Sequence, residues 1–311
     1  MLPRMTQTPR LSLTRCHRLA VSAAKAAGLL VNTYRGRELS VAYKGAVNIV
    51  TEADRQAERL IVERIRKAYP DHLIIGEEGT GGEEWNRTAA PPSSSPAREP
   101  VWFVDPLDGT TNFAHGFPFY CVSIGVEING RVVVGVVYDP VRRELFSAIR
   151  EKGAFCNGRR LRVSETEKLD QSLLVTGFAY NIRTSRKNNL GHFSQFSLRC
   201  RGVRRTGSAA LDLCYVAAGR LDGFWEMHLW PWDTAAGSLI VEEAGGRMSA
   251  FDGQPYQLRV PELVASNGRI HDEMVGILRL GDRIDPRIDL ITGEPEPQTG
   301  KENGHERRRA R

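Results

Sequence analysis

Asp105 and Asp108 stand three residues apart in Trp102-Phe103-Val104-Asp105-Pro106-Leu107-Asp108-Gly109-Thr110-Thr111-Asn112. Two bare carboxylates so close repel each other, and a bound cation is the usual remedy. The Gly-Thr-Thr that follows supplies exposed N–H groups and hydroxyls, which suit an anion such as phosphate. The stretch therefore reads as a seat for a metal and a phosphate. Asp-Pro-x-Asp-Gly is also good turn chemistry, and on this stretch alone both readings stand.

Other acids fall where elements are expected to end or begin. Glu77 follows the apolar run Leu73–Ile75, and Asp233 follows Trp230-Pro231-Trp232 at a helix start, where an N-cap role would also explain it. Asp54 lies three residues after Thr51, the spacing of a capping box, and that role needs no chemistry. Glu77, Asp105, Asp108 and Asp233, with no histidine or cysteine at ligand spacing, describe an oxygen-only site for Mg²⁺ rather than zinc.

The elements that must position these acids change character along the chain. Residues 11–34 carry leucine and alanine at helical spacing, and Ala57, Leu60, Ile61, Ile65 and Ala68 form one apolar helix face ended by Pro70. Val101–Val104 reads as a buried strand that Pro106 should stop, because proline lacks the ladder donor. Asn129-Gly130, between two apolar runs, predicts a type I′ hairpin, and Asn157-Gly158 continues an antiparallel meander. The first half is thus helices on one antiparallel sheet. Beyond residue 166, strands and helices alternate: strands at 173–178, 203–205, 223–227 and 263–265, helices at 186–200, 209–218, 232–244 and from 268. Three regions follow: an N-terminal α+β half over 10–165 with most of the acids, a smaller α/β half over 166–280 contributing Asp233, and a basic, disordered tail over 281–311. The Pro/Ser-rich residues 79–100 read as a surface excursion.

At 311 residues, 41% hydrophobic and 26% charged, the chain has the composition of an ordinary soluble globular protein. It has no apolar run long enough for a membrane span, and its arginine-bearing N-terminus lacks the apolar core of an export signal. Five scattered cysteines fit neither a disulfide framework nor a zinc site and point to a reducing cytoplasm. The net charge of +6 raises nucleic acid as a partner, but half of the excess sits in residues 301–311, where five basic residues meet two acidic ones. A specific nucleic-acid face is not expected.

In chain order, Val50-Thr51-Glu52-Ala53-Asp54, Ile75-Gly76-Glu77-Glu78, Asp105-Pro106-Leu107-Asp108-Gly109-Thr110-Thr111-Asn112, Arg205-Thr206-Gly207-Ser208-Ala209-Ala210, Trp232-Asp233-Thr234-Ala235-Ala236-Gly237 and Glu242-Glu243-Ala244-Gly245-Gly246 resemble the motifs of the inositol monophosphatase family of Mg²⁺-dependent, lithium-sensitive sugar phosphatases. The resemblance covers roughly residues 10–280 and implies a layered αβαβα fold of mixed α+β and α/β character. It also implies two or three Mg²⁺ ions. The first would be held by Glu77, Asp105 and the Leu107 carbonyl, the second by Asp105, Asp108 and Asp233, with Asp105 bridging. Thr110 and Glu77 resemble the family's water-activating pair, with Asp54 supporting the threonine, and Lys44 lies on a loop that closes over a further metal. Leu107, Asp108, Gly109 and Thr110 would line the substrate's side of the site, Gly109 and Thr110 offering N–H groups to phosphate. Gly207, Ser208, Ala209 and Glu226 match positions that meet polyol hydroxyls. A homodimer is also implied.

Elementary chemistry agrees with this resemblance. Hydrolysis of a phosphate monoester needs water in line against a dianion, which cations can neutralise while acidifying the water and stabilising the leaving alkoxide. Glu77 can accept the water's proton and Thr110 can orient it, since a hydroxyl both donates and accepts. Glu226, a carboxylate, favours an uncharged polyol over a second phosphate. The expectation is direct attack of a metal-activated water on inositol monophosphate. Fructose 1,6-bisphosphate, histidinol phosphate and adenosine 3′,5′-bisphosphate are the alternative substrates, and an RNA-associated regulatory protein is the alternative class.

Overall fold

The structure, a computed structural model, describes residues 12–36, 41–43, 49–80 and 100–282. Lys44, most of the 79–100 excursion and the tail beyond Asp282 lie outside the described residues. Helix α1 (Leu13–Tyr34) begins at Ser12, whose side chain accepts the Arg15 N–H. Its stripe of Ala20, Ala23, Ala24, Ala27 and Val31 recurs at three- and four-residue spacing and is fully buried. After a short antiparallel pair, β1 (Val41–Tyr43) and β2 (Ile49–Thr51), helix α2 (Glu52–Ala68) buries Ala57, Ile61 and Ile65. Both helices cover one face of the first sheet, against Trp102, Val104, Ile124 and Val136.

That sheet runs in order β3 (Leu73–Gly76), β4 (Val101–Asp108), β5 (Cys121–Ile128), β6 (Arg131–Asp139), β7 (Glu144–Ile149), β8 (Gly153–Cys156) and β9 (Arg159–Arg160). It is antiparallel throughout except that β3 and β4 run parallel, which corrects the expectation of a purely antiparallel sheet. A parallel pair needs a long crossover, and the connection between β3 and β4 is long enough to make one. Both hairpin turns form as the sequence requires, with φ of 52° and 73° at Asn129 and Gly130 and 48° and 80° at Asn157 and Gly158.

Pro106 does not end β4, as it was expected to. Pairing with β5 runs to Asp105↔Ser123, slips by one residue, and resumes at Asp108↔Cys121. Proline sits in the resulting bulge, where a missing donor costs no ladder bond. The short helix α3 (Thr110–Ala114) follows directly.

The second sheet has the order β11 (Gly202–Arg204), β10 (Leu173–Thr176), β12 (Gly223–Met227), β14 (Glu262–Ser266) and β13 (Arg247–Ser249). Its β10 pairs are parallel and its β14 pairs antiparallel. Helix α4 (Leu190–Ser197) is shorter than the helix expected over 186–200. Asn189 stops it at the N-terminal side with φ of 70°, its side chain donating instead to the Thr176 hydroxyl and the Gly177 carbonyl. The three-residue β13 was not foreseen, being too short to show a period.

Helices α5 (Ala209–Ala217) and α6 (Pro231–Glu243) lie between the sheets in one apolar cluster that joins Phe103, Val137 and Phe146 to Leu211, Leu239 and Leu263. Helix α4 and the C-terminal α7 (His271–Leu278) close the outer face over Leu174, Trp225 and Val264. The layers are therefore α, β, α, β, α, as the resemblance implied. Among the described residues no helix is long and apolar enough to cross a membrane.

How closely α6 lies on the first sheet is set by two glycines. A Cβ at Gly125 would stand 2.5 Å from Ala235 Cβ, and one at Gly135 would stand 2.5 Å from the Ala236 carbonyl oxygen. Alanine in place of a strand glycine would gain roughly 0.5–1 kcal/mol of backbone entropy, but a clash with main chain that cannot rotate away costs about 1–3 kcal/mol. Gly135→Ala should therefore destabilise by about 1–2 kcal/mol, read as a lower midpoint in urea unfolding. An unchanged or higher midpoint would show that α6 can lift off the sheet freely.

Candidate metal and phosphate site

Because β3 and β4 are parallel neighbours in register Gly76↔Val104, both deliver their next residue to one edge. The Glu77 N–H donates to the Val104 carbonyl at 3.1 Å, and the Glu77 and Asp105 side chains share a hydrogen bond. The bulge after Asp105 re-aims the chain so that Asp108 joins them. Asp233 comes from the start of α6, fastened to β5 by the Ser123 hydroxyl donating to the Trp232 carbonyl at 3.2 Å. It is not the N-cap residue. Trp230 holds that place, Pro231 begins the helix, and the Asp233 carboxylate accepts the Trp230 N–H at 2.8 Å.

Electrostatics registers the convergence of these four acids. Asp105 is buried, and its carboxyl is pushed well above the ordinary range, first by burial and then by Glu77, Asp108 and Asp233. Asp233 is raised by burial and then by Asp108, and Asp108 is raised to about 6 by burial against the bonds it accepts. The charged groups that act on Asp105 most strongly, Glu77, Asp108 and Asp233, are all acids. Buried carboxylates in this arrangement need either protons or cations, and an all-oxygen donor set fits a hard divalent ion such as Mg²⁺. No three of them, among the described residues, already stand around a common point as ligands would. Coordination by three or more of these acids would therefore require their side chains to draw closer together.

Asp54 serves as both cap and support. One oxygen accepts the Thr51 N–H at 2.8 Å and the Thr51 hydroxyl, while the other accepts the Thr110 hydroxyl at 2.9 Å. Burial raises its carboxyl, against the pull of those donors. Thr110 Oγ also lies 3.0 Å from the Leu107 carbonyl, so its single proton is committed to these acceptors and its lone pairs face elsewhere. Gly109 before it has φ of 97°, and a Cβ there would come 3.0 Å from the Phe119 carbonyl. Only glycine fits that corner.

The second half reaches the same place. Ser208 hydroxyl and Ala210 N–H donate to Asp108 Oδ2 at 2.6 and 2.8 Å, bringing Gly207-Ser208-Ala209 against the acids. Glu226 on β12 is buried, its carboxyl driven well up by burial and then by Asp212 and Asp108. Gly177 makes room for it, since a Cβ there would fall 2.2 Å from both carboxylate oxygens.

Some residues at the site carried no signal in the sequence. Tyr180, about half exposed, bonds Thr111 with its hydroxyl and feels Glu77, Asp108 and Asp233, yet comes from an irregular loop with no motif. Asn112 belonged to the opening motif without a role. Its amide donates to the Phe119 and Thr206 carbonyls at 2.7 and 2.8 Å and so stitches the two halves together. Glu58, a helix acid in no motif, is buried.

Comparison with known proteins identifies the family. Residues 12–280 match the model of the inositol monophosphatase family. The chain is 48% identical over 258 residues to an inositol-1-monophosphatase of Synechocystis, covering 82% of this chain and 86% of that one. It is 47% identical over 255 residues to the Nus factor SuhB of Pseudomonas aeruginosa, covering 80% and 90%. The solved inositol monophosphatase of Anabaena superposes with a TM-score of 0.75 at 41% identity, over 88% of this chain and 97% of that one. On a match of this extent, the chain belongs to the inositol monophosphatase family, a family of phosphatases.

Proposed function

We propose that the protein hydrolyses inositol monophosphate to inositol and phosphate by direct in-line attack of water, with Mg²⁺ as cofactor. The observation that carries this reading is the burial of Asp105 among three other acids, Glu77, Asp108 and Asp233, that press its carboxyl upward. Glu77, Asp105 and the Leu107 carbonyl would hold one ion, and Asp105, Asp108 and Asp233 a second. When bound, such ions neutralise the phosphate dianion, acidify water and stabilise the leaving alkoxide. Thr110, its proton given to Asp54 or the Leu107 carbonyl, offers a lone pair to the attacking water and so orients it. Glu77 accepts the water's other proton. Gly109 and Thr110 offer backbone N–H groups to phosphate, while Gly207, Ser208, Ala209 and Glu226 meet the polyol. Lys44 remains a loop residue near a third ion by family likeness alone. Family likeness also supports a homodimer, and five cysteines without a disulfide support a cytoplasmic setting.

The relatives named as Nus factors support a second reading, in which the same chain has a regulatory role alongside catalysis. Other small phosphates remain alternative substrates, because specificity lives in a few pocket contacts.

Phosphate release with Mg²⁺, with and without Li⁺, across inositol 1-phosphate, fructose 1,6-bisphosphate, histidinol phosphate and adenosine 3′,5′-bisphosphate should rank inositol 1-phosphate first in kcat/KM. Asp105→Asn should bring release to background with an unchanged circular-dichroism spectrum; wild-type turnover in that variant would refute the site. Thr110→Ala should lower kcat by about 10²–10⁴-fold.

Metal-free stability should also fall as pH rises. Asp105 and Asp233 hold their protons more tightly folded than unfolded, so above the ordinary carboxylate range the unfolded chain binds fewer protons and gains ground. His271, pushed down to about 4, acts in the opposite sense, an effect that fades about one unit above the ordinary histidine value. In EDTA, Tm should therefore drop between about pH 7.5 and 8.5, and Mg²⁺ should raise it most at the upper end. A flat profile would mean that these carboxyls do not crowd one another.

A further inference from the structure

Four residues beyond Asp54, on the same buried face of α2, Glu58 is 5% exposed. Its two oxygens accept three donors from the turn that follows β3: the Glu78 N–H at 2.8 Å on Oε2, and the Thr80 N–H at 3.1 Å and Thr80 hydroxyl at 2.8 Å on Oε1. The turn is closed on itself by the Gly76 N–H donating to the Thr80 carbonyl at 2.7 Å. Contact with Glu58 extends to the residue before Glu77 as well, since a Cβ at Gly76 would fall 2.4 Å from Glu58 Oε2. Glu77 thus lies between two residues whose backbones press on one buried carboxylate. Charge-assisted bonds of this kind are short, directional and roughly twice as strong as neutral ones. They fix where the Glu77 backbone sits far more tightly than a solvated turn of Gly-Glu-Glu-Gly-Thr could fix itself.

The same helix holds the other half of the site. One turn earlier, Asp54 accepts the Thr110 hydroxyl. Residues four apart on a helix project from one face about 6 Å apart along the axis, at 1.5 Å per residue. The rigid turn between Asp54 and Glu58 is therefore a common reference for Thr110 and Glu77, which follow the ends of different strands.

We propose that Glu58 is a positioning residue for the metal and water site. It holds the turn bearing Glu77, and together with Asp54 it makes α2 the element that sets the separation of Glu77 from Thr110. The proposal rests on the reading above for what Glu77 and Thr110 do. A merely structural carboxylate would have the same hydrogen bonds, and the two cases part in what the folded protein does with metal.

Glu58→Gln keeps the size of the side chain but turns an amide donor toward donors of the turn, which frees Glu77 to wander. Isothermal titration of metal-free protein with Mg²⁺ should show Kd weakened by about 10–100-fold, the usual cost of removing the support of a ligand. With Mg²⁺ saturating, kcat should fall while KM for inositol 1-phosphate changes little, because the polyol contacts lie on the other half of the site. Thr80→Val removes a single donor and should move Mg²⁺ affinity the same way by a smaller factor, so it carries the test if Glu58→Gln fails to fold. A Glu58→Gln protein that is folded, with lowered Tm but wild-type Mg²⁺ affinity and kcat, would overturn the proposal. Since the titration needs no substrate, wild-type protein that binds Mg²⁺ yet releases no phosphate would sink the functional reading while the effect of Glu58→Gln on Kd still decides this one.

Discussion

Crowding of like charge at the ends of two parallel strands is the constraint on which the rest of this molecule depends. Asp105 has almost no access to water, and three further acids, Glu77, Asp108 and Asp233, act on it. Burying one uncompensated carboxylate costs several kcal/mol, and burying a group of them is tolerable only if protons or cations neutralise it. The fold sustains the arrangement by brute packing. Two apolar clusters sandwich the first sheet, α6 is seated on bare glycine backbone, and Asp105, Asp108 and Asp233 each accept at least one short hydrogen bond. Stability is thus spent to hold a crowd of carboxyls that protons or cations would relieve.

The pieces come from segments far apart in the chain, and each is aimed by a local irregularity. A bulge at Pro106 separates Asp105 from Asp108, a left-handed glycine turns the chain into Thr110, and proline at the first turn of α6 sets Asp233 at its third residue. Regular structure would have pointed these side chains to opposite faces of a sheet, because neighbours in a strand alternate. Departure from regularity is what gathers them.

Much of this was legible in the sequence. Asn-Gly turns, the alanine stripe of α1 and the strand-then-acid pattern each carry a local physical signature, and the five layers follow from the family motifs standing in order. The site acids could be proposed for the same reason: carboxylate chemistry is written in residue type. What escaped notice depended on tertiary pairing. Pro106 was expected to end its strand because proline's missing donor is a local fact, whereas a bulge that tolerates it is a fact about β5. The parallel pairing of β3 with β4 cannot be told from an apolar run of four residues. Tyr180 and Glu58 are a loop aromatic and a helix acid by sequence, and only the packing of other segments around them gives them a place at the site.

The central claim is that these four acids form a seat for divalent cations. Crystals of the protein grown with Mn²⁺ in place of Mg²⁺ would settle it through anomalous scattering. Strong anomalous peaks should lie between Glu77, Asp105, Asp108 and Asp233, within ligand distance of Asp105 in each case. Difference maps with no peak there at millimolar Mn²⁺, or with peaks only at surface carboxylates, would contradict it.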